Sequence, residues 1–310
     1  MKKLSKKLLP GVIGLIIGLL FTQTTVFAGN SIIVSSKIDT EGSLLANMIA
    51  VSLKFHHLKV TNKAGLGGTM ILRRAIKSGQ IDIYPEYTGN GAVFFPRLNK
   101  IIFKSFKKGY EAVKKADLKQ NNIVWLTPAR ANNTWAIAVR KSFAKKHNIY
   151  TMGEFAKYVK SGGFVRLVCS EEFATRGDAL PAFEKAYGFK LSQSQLILLS
   201  GGNTAQTEKA LARKTNGVNF AMAYGTDGSL SSLNLLVLRD PKNIEPVYAP
   251  TPIIRKSVLD RYPQIGVILK PIFETLDTET LQMLNAKIAI EGLPAEKVAK
   301  RYLKQEGFIK

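Results

Sequence analysis

The chain has 310 residues, of which 45 are basic and 22 acidic, giving a formal net charge of +23 at pH 7. Hydrophobic residues make up 45% of the sequence, which is enough for two lobes of ordinary domain size. A single cysteine, Cys169, excludes an intramolecular disulfide, and the three histidines, the adjacent His56 and His57 and the distant His147, lack metal-ligand spacing and give no support for a metal site.

The first 28 residues have the pattern of an export signal. Lysines at positions 2, 3, 6 and 7 precede an apolar run at 12–21, and Val26-Phe27-Ala28 supplies residues that a signal peptidase accepts at the third and first positions before its cut. The apolar run is short and interrupted by glycine, which argues against a membrane span. We therefore expect cleavage after Ala28 and a periplasmic location, with an uncleaved anchor as the alternative.

The next part of the chain alternates strands and helices. A buried strand is predicted at 31–36, and Asp39 is a good N-cap for a helix whose apolar residues recur at helical spacing. A second strand is predicted at 58–61, and a glycine-rich turn at 65–69 then leads into a second helix. The alternation predicts an α/β fold with a doubly wound sheet.

The stretch from 81 to 91 is the best candidate for half of a binding site. Apolar and polar residues alternate as far as Pro85, which cannot donate to a sheet ladder, so the strand is predicted to end there. Tyr87 then lies at a strand's carboxyl end, where ligands collect in open α/β sheets. A core tyrosine followed by an ordinary glycine turn is the alternative.

Two crossings between lobes are predicted from the second half of the chain. A polar segment containing Pro128 leads into an apolar strand that begins at Trp135, and extended residues at 247–254 form the return. Between them, Tyr224 ends a strand before a glycine-containing turn, as Tyr87 does. The predicted domains are a signal peptide at 1–28, a discontinuous first lobe at 29–132 plus 247–310, and a second lobe at 133–246.

Four aromatic residues are predicted at strand ends or crossings: Tyr87, Trp135, Tyr224 and Tyr248. Such positions converge on the cleft of a two-lobed α/β protein, and four rings around a dry pocket suit a quaternary ammonium, which their quadrupoles attract. Two basic residues in loops before helices are expected to meet a carboxylate of the same ligand: Lys37 and Arg176. Taken singly, each aromatic residue also fits a core role.

The positive charge allows a second hypothesis, a basic envelope protein that binds an anionic polymer or nucleic acid. The lysines, however, are scattered singly and in pairs such as Lys107-Lys108, and no nucleic-acid-binding motif is recognised. A solvated basic face is favoured, and no nucleic-acid partner is expected.

A third hypothesis is an enzyme that uses the same cleft. Glu41 and Glu86 are available carboxylates, but neither has a partner at a catalytic spacing, and Cys169 lies in an apolar run typical of a buried strand. We therefore expect neither enzymatic activity nor a cofactor.

Five segments together resemble the signature of a known family. They are SKIDTE at 36–41, DIYPEYTG at 82–89, NNTWA at 132–136, FATRGD at 173–178 and AYGTDG at 223–228. In this order they resemble the osmoprotectant-binding proteins of the ProX/OpuC type, which serve ABC importers of glycine betaine, choline and carnitine. The resemblance implies a two-lobed class II periplasmic-binding-protein fold with a hinge, a monomer, and a permease partner in the inner membrane.

The resemblance also implies roles for individual residues. Tyr87, Trp135, Tyr224 and Tyr248 match aromatic-cage positions, Lys37 and Arg176 match carboxylate-binding positions, and Asn133 falls where a backbone carbonyl lines the cage. Asn90 replaces a threonine whose hydroxyl contacts the carboxylate, and Trp135 replaces a cage tyrosine. Both departures resemble a YehZ-like branch of the family, and they leave the natural solute open.

Overall fold

The computed structural model describes residues 31–310, so the export signal predicted at 1–28 lies outside the described residues. Within this part of the chain, none of the helices combines the length and the apolar character that crossing a bilayer requires.

Strands and helices alternate along most of the described chain, as predicted. Its ten strands are β1 (Ile32–Lys37), β2 (Val60–Gly67), β3 (Ile83–Tyr87), β4 (Ile123–Trp125), β5 (Trp135–Arg140), β6 (Leu167–Ser170), β7 (Leu196–Leu199), β8 (Phe220–Tyr224), β9 (Leu235–Val237) and β10 (Pro250–Arg255). Its fourteen α-helices are α1 (Thr40–Phe55), α2 (Thr69–Ser78), α3 (Gly91–Phe94), α4 (Phe106–Asn121), α5 (Lys141–His147), α6 (Met152–Lys160), α7 (Glu171–Thr175), α8 (Leu180–Tyr187), α9 (Thr204–Arg213), α10 (Ser229–Ser232), α11 (Lys256–Arg261), α12 (Gln264–Glu274), α13 (Thr278–Ala289) and α14 (Ala295–Gln305).

The strands form two five-stranded sheets, one per lobe, with the same arrangement. The first sheet has the order β2-β1-β3-β10-β4, and the second has the order β7-β6-β8-β5-β9. In each sheet the first three strands are parallel and the fourth is antiparallel to both neighbours. Because β10 joins the first sheet after the second is complete, the chain leaves the first lobe and returns to it. The lobe limits at 133 and 247 stay predictions.

The strand that carries Tyr87 continues through a proline. β3 runs from Ile83 to Tyr87, and Pro85 pairs in register with Pro252 of the antiparallel strand β10. Neither proline has a backbone N–H, so neither residue has to donate a hydrogen bond at this position of the sheet. The prediction that the strand ends at Pro85 is therefore wrong, but Tyr87 does lie at the carboxyl end.

The glycine-rich segment after β2 is also different from the prediction. β2 extends to Gly67, with Gly65 at a positive φ of 82° and a register shift where Lys37 pairs with Gly67. Glycine tolerates this left-handed conformation without the steric cost of a side chain. The irregular edge places Gly67 and Gly68 beside the end of β1, where they line the candidate site.

The cores of the two lobes position the sheet ends. In the first lobe, α1 packs Leu45 and Met48 against apolar residues of α12, α13 and α14. In the second lobe, Cys169 is fully buried among apolar residues, and burial raises the pKa of its thiol to about 12. This confirms the prediction that Cys169 lies in a buried apolar strand, where it packs as a small hydrophobic residue.

Candidate functional site

One cavity lies where the ends of the two sheets face each other. The volume of this cavity is about 40 Å³. All eight sequence-predicted site residues line it: Lys37, Tyr87, Asn90, Asn133, Trp135, Arg176, Tyr224 and Tyr248. The other lining residues are Ile38, Asp39, Gly67, Gly68, Thr69, Glu172 and Gly202, none of which the sequence singled out as a site residue.

Strand pairing in the second lobe brings two of the aromatic residues together. Trp135 begins β5 and Tyr224 ends β8, and the two residues are register partners. Their rings are stacked with centroids 6.4 Å apart and an interplanar angle of 19°, while Phe173 meets the indole edge-on at 5.8 Å. This geometry fixes one aromatic wall of the cavity before any ligand binds.

Tyr248 lies in the return crossing between the lobes and is held by hydrogen bonds to the first crossing. Its backbone N–H donates to Asn132 Oδ1 at 2.8 Å, and its carbonyl accepts from the Asn133 N–H at 3.0 Å. A Cβ on Gly89 would lie 2.7 Å from the Tyr248 ring, so glycine there lets the ring rest on the backbone. The centroids of Tyr248 and Trp135 are 5.7 Å apart.

Tyr87 presents its ring to the cavity while its polar groups are satisfied behind it. The hydroxyl donates to Glu41 Oε1 at 3.1 Å, and the backbone N–H donates to Glu86 Oε1 at 2.7 Å. The Lys37 ammonium lies 4.6 Å from the ring centroid, within range of a cation–π contact.

The two predicted carboxylate-binding cations already have carboxylate partners. Lys37 Nζ donates to Glu86 Oε1 at 2.8 Å. Arg176 donates through Nε and Nη2 to both oxygens of Asp178 at 2.7 and 2.8 Å, and through Nη1 to Glu172 Oε1 at 2.8 Å. Asp178 and Glu172 stand two residues after and four residues before Arg176, which is the signal that sequence analysis missed.

Arg176 also connects the two lobes. Its Nη1 donates to Asn90 Oδ1 at 2.8 Å and its Nη2 donates to the Tyr248 hydroxyl at 3.0 Å. The guanidinium carbon lies 4.3 Å from the centroid of the Trp135 ring. A cation of the protein itself thus covers part of the aromatic surface, which explains why the cavity is small.

The two predicted asparagines are buried, and their side-chain amides bond carboxylates of the protein; the cage role of the Asn133 backbone carbonyl stays a prediction. Asn90 donates from Nδ2 to Glu86 Oε1 at 2.6 Å, and Asn133 donates from Nδ2 to Glu41 Oε1 at 2.7 Å. Asn90 therefore ties Glu86 to Arg176, and Asn133 ties the first crossing to α1.

The three tyrosines of the site remain neutral phenols. Burial, together with nearby carboxylates, holds the pKa values of Tyr87, Tyr224 and Tyr248 well above the ordinary phenol value. Burial likewise raises the pKa of the Asp39 carboxyl, which lines the cavity. Neutral rings keep the quadrupole that attracts a cation, so the rings suit a cationic ligand group at any physiological pH.

Tyr224 is held in place by Asp227, which lies beside the buried acid Glu208. Its backbone N–H donates to Asp227 Oδ2 at 2.6 Å, and the Thr204 hydroxyl donates to Asp227 Oδ1 at 2.8 Å. Glu208, which accepts a hydrogen bond from Ser229, lies next to Asp227. Burial is the main reason that the pKa values of both carboxyls are raised, and the mutual repulsion of the two acids raises that of Asp227 further.

This acid pair predicts a pH-dependent stability. Both carboxyls bind protons more tightly in the folded chain, so their stabilising contribution is full below the ordinary carboxyl pKa and is lost as pH rises through the raised values. We expect urea unfolding to show a stability that declines with rising pH, and a flatter decline in Asp227→Asn, whose amide stays neutral. Equal slopes in the two proteins would contradict a raised pKa of Asp227 in the folded chain.

The chain matches a known protein family over most of its length. Residues 30–305 match the family model OpuAC, described as the substrate binding domain of ABC-type glycine betaine transport systems.

Individual relatives cover nearly the whole chain. The glycine betaine-binding protein YehZ of Escherichia coli strain K12 is 54% identical over 283 residues, which are 91% of this chain and 93% of YehZ. The structure of apo YehZ from E. coli is similar with a TM-score of 0.66, covering 90% of this chain and 100% of that one. A glycine betaine/carnitine/choline ABC transporter structure, 23% identical, shows the same fold with a TM-score of 0.70, over 90% of this chain and 100% of that one.

Proposed function

The chain belongs to the OpuAC family of substrate-binding domains of ABC-type glycine betaine transport systems, and we propose that its cavity binds a quaternary-ammonium solute, glycine betaine, choline or a similar compound. The observation that carries this proposal is the convergence of Tyr87, Trp135, Tyr224 and Tyr248 on one cavity at the ends of both sheets. A methylated nitrogen has no N–H to donate, and aromatic faces attract it without one.

The rings supply enough attraction for useful affinity. Each desolvated ring contributes roughly 0.5 to 2 kcal/mol, so four rings approach the ~8 kcal/mol of micromolar binding. The Trp135 Nε1–H is buried and has no acceptor among residues 31–310, so it is available to an oxygen of the ligand. The Lys37 ammonium has N–H donors in addition to the one that bonds Glu86, so it is also available to an oxygen of the ligand.

Ligand binding in this proposal replaces contacts that the protein makes with itself. The ammonium group takes the face of Trp135 that the Arg176 guanidinium covers, and Arg176 keeps its bonds to Asp178 or turns toward a ligand carboxylate. Because the site combines residues of both lobes, the ligand gains most contacts when the lobes are closed, and it therefore shifts the population toward that state.

Removing the ring of Tyr87 tests the proposal directly. We expect Tyr87→Ala to weaken the binding of glycine betaine or choline at least about tenfold, the loss of roughly 1.4 kcal/mol for one desolvated wall. Isothermal titration of both solutes provides the measurement. Tyr150→Ala, which removes an exposed tyrosine outside the cavity, is the matched control. An affinity like that of the control would exclude Tyr87 from the site.

The remaining parts of the proposal concern location and partners. As a component of an ABC transport system, the exported chain, cleaved after Ala28, acts in the periplasm as a monomer. There it delivers its solute to a permease in the inner membrane, without enzymatic activity and without a nucleic-acid partner. Mass spectrometry of the protein from a periplasmic extract tests the cleavage site.

A further inference from the structure

Glu41 lies behind the proposed aromatic cage, outside the set of residues that line the cavity. It stands in the first turn of α1 and is 3% exposed. Its Oε1 accepts from the Tyr87 hydroxyl at 3.1 Å and from Asn133 Nδ2 at 2.7 Å, and its Oε2 accepts from Asn285 Nδ2 at 3.0 Å. One carboxyl thus joins a cage ring, a lobe crossing and helix α13.

The surroundings of this carboxyl also contain buried acceptors without donors. Asn133 Oδ1, Asn285 Oδ1 and Thr226 Oγ1 have no hydrogen-bond partner among residues 31–310. The first two belong to amides that bond Glu41, and Thr226, which follows β8, accepts from Asn285 through its backbone carbonyl at 3.1 Å. The amide and hydroxyl donors stabilise the ionised carboxylate of Glu41. The neutral acid has a proton to donate, and the side-chain oxygen of a rotated amide or of Thr226 would accept it.

We propose that Glu41 is a positioning residue that holds a proton while the site is empty and releases it when a cationic ligand group enters beside Tyr87. This inference rests on the proposed function, since it requires a ligand with a fixed positive charge. The proton passes to the solvent, and no bond of the ligand is made or broken.

The coupling between cation binding and proton release follows from the positions of the ligand cation, the Tyr87 ring and the Glu41 carboxyl. The ligand cation would lie on the face of the Tyr87 ring, and the Glu41 carboxyl lies at the hydroxyl of the same ring. A positive charge on the face of the ring favours the ionised form of Glu41. By thermodynamic reciprocity, the ionised form of Glu41 increases the affinity of the site for the cation. Independently of the ligand, desolvation is the main cause that raises the pKa of Glu41 to about 7, so both forms are available near neutral pH.

The other charged groups near Glu41 support the same direction. On its own segment Asp39 raises the pKa of Glu41 by repulsion, while Lys37 is held by Glu86 above the Tyr87 ring. The loop after β8 places the neutral Thr226 next to Glu41, and α13 places the neutral Asn285 there. The helices α12 and α14 face α1 with apolar side chains. The ligand cation is therefore the charge that changes on binding.

Calorimetry with choline and tetramethylammonium, which do not titrate in this range, tests the proposal. From about pH 6 to about pH 8.5 we expect the affinity of the intact protein to rise roughly tenfold. At pH 7, titrations in buffers of different ionisation enthalpy should show release of a fraction of a proton. In Glu41→Gln, whose amide mimics the neutral acid, we expect binding with neither the pH dependence nor the release. Glu111→Gln, at an exposed acid, should behave as the unmodified protein does.

Two further measurements separate this inference from the proposed function. Tyr87→Phe keeps the ring but removes one donor to the carboxylate, so the midpoint of the pH dependence should move upward. Without ligand, the stability of the unmodified protein relative to Glu41→Gln should fall as pH rises from the ordinary carboxyl range through about pH 7.

The outcomes are distinct. Binding with the same proton release in Glu41→Gln, or a ligand-free stability difference that does not change with pH, overturns the role of Glu41 and leaves the proposed function standing. If neither these two cations nor glycine betaine binds at any pH, the proposed function falls, and the coupling falls with it.

Discussion

Arg73→Ala is expected to lower the free energy of unfolding by about 3–5 kcal/mol, because it leaves a buried carboxylate without its counter-charge. Arg73 lies on α2 and is 5% exposed, and its Nη1 and Nη2 donate to the two oxygens of Asp117 at 2.7 and 2.6 Å. Asp117, fully buried on α4, also accepts from Trp125 Nε1 at 2.8 Å. Helices and a strand of the first lobe therefore depend on one ion pair.

The neighbouring arginine gives a matched control. Arg74 is exposed on the same turn of α2, and Arg74→Ala should change stability by no more than about 0.5 kcal/mol. Urea unfolding of both variants at neutral pH provides the comparison. A loss in Arg73→Ala within about 1 kcal/mol of that in Arg74→Ala would show that Asp117 is satisfied without the ion pair.

The positions of the four aromatic residues that line the cavity could be predicted from the sequence because strand ends are local features. Trp135 follows a polar, proline-containing segment, and Tyr224 precedes Gly225, so each marks an end of a strand that its own neighbours define. Parallel α/β sheets gather ligands at such ends, and register pairing of Trp135 with Tyr224 then brings the rings together. The two crossings were predictable for the same reason.

The sequence predictions are wrong or incomplete where the interacting residues are far apart in the chain. Pro85 stays in a strand only because Pro252 lies opposite it. No sequence feature near residue 85 predicts that pairing. Similarly, the bond between Lys37 and Glu86 joins two strands, and the position of Arg176 over Trp135 depends on side-chain rotamers. Spacing identified these cations as ligand-binding candidates, but it did not show that the protein pairs them internally.

The strongest effect on ligand affinity is expected from Trp135→Ala. Trp is the best cation–π partner, and loss of a desolvated indole face worth about 2 kcal/mol weakens binding about thirtyfold. The indole also supports its neighbours, since Tyr224 stacks on it and Tyr248 lies 5.7 Å away, so the remaining rings lose their relative positions as well. We therefore expect a larger loss for Trp135→Ala than for Tyr87→Ala.

The second tryptophan of the chain makes the experiment specific. Trp125, fully buried in the first lobe, does not line the cavity, so Trp125→Phe should cost stability while leaving the affinity for glycine betaine and choline unchanged. In that variant Trp135 is the only indole, and its fluorescence should respond to the ligand, whereas Trp135→Phe should lose the response. Trp135→Tyr keeps an aromatic ring at this position and should bind within a fewfold of the unmodified protein. If Trp135→Ala and Trp125→Phe bind equally well, the ligand does not lie against the indole, because a wall of the cage cannot be removed without a loss of affinity.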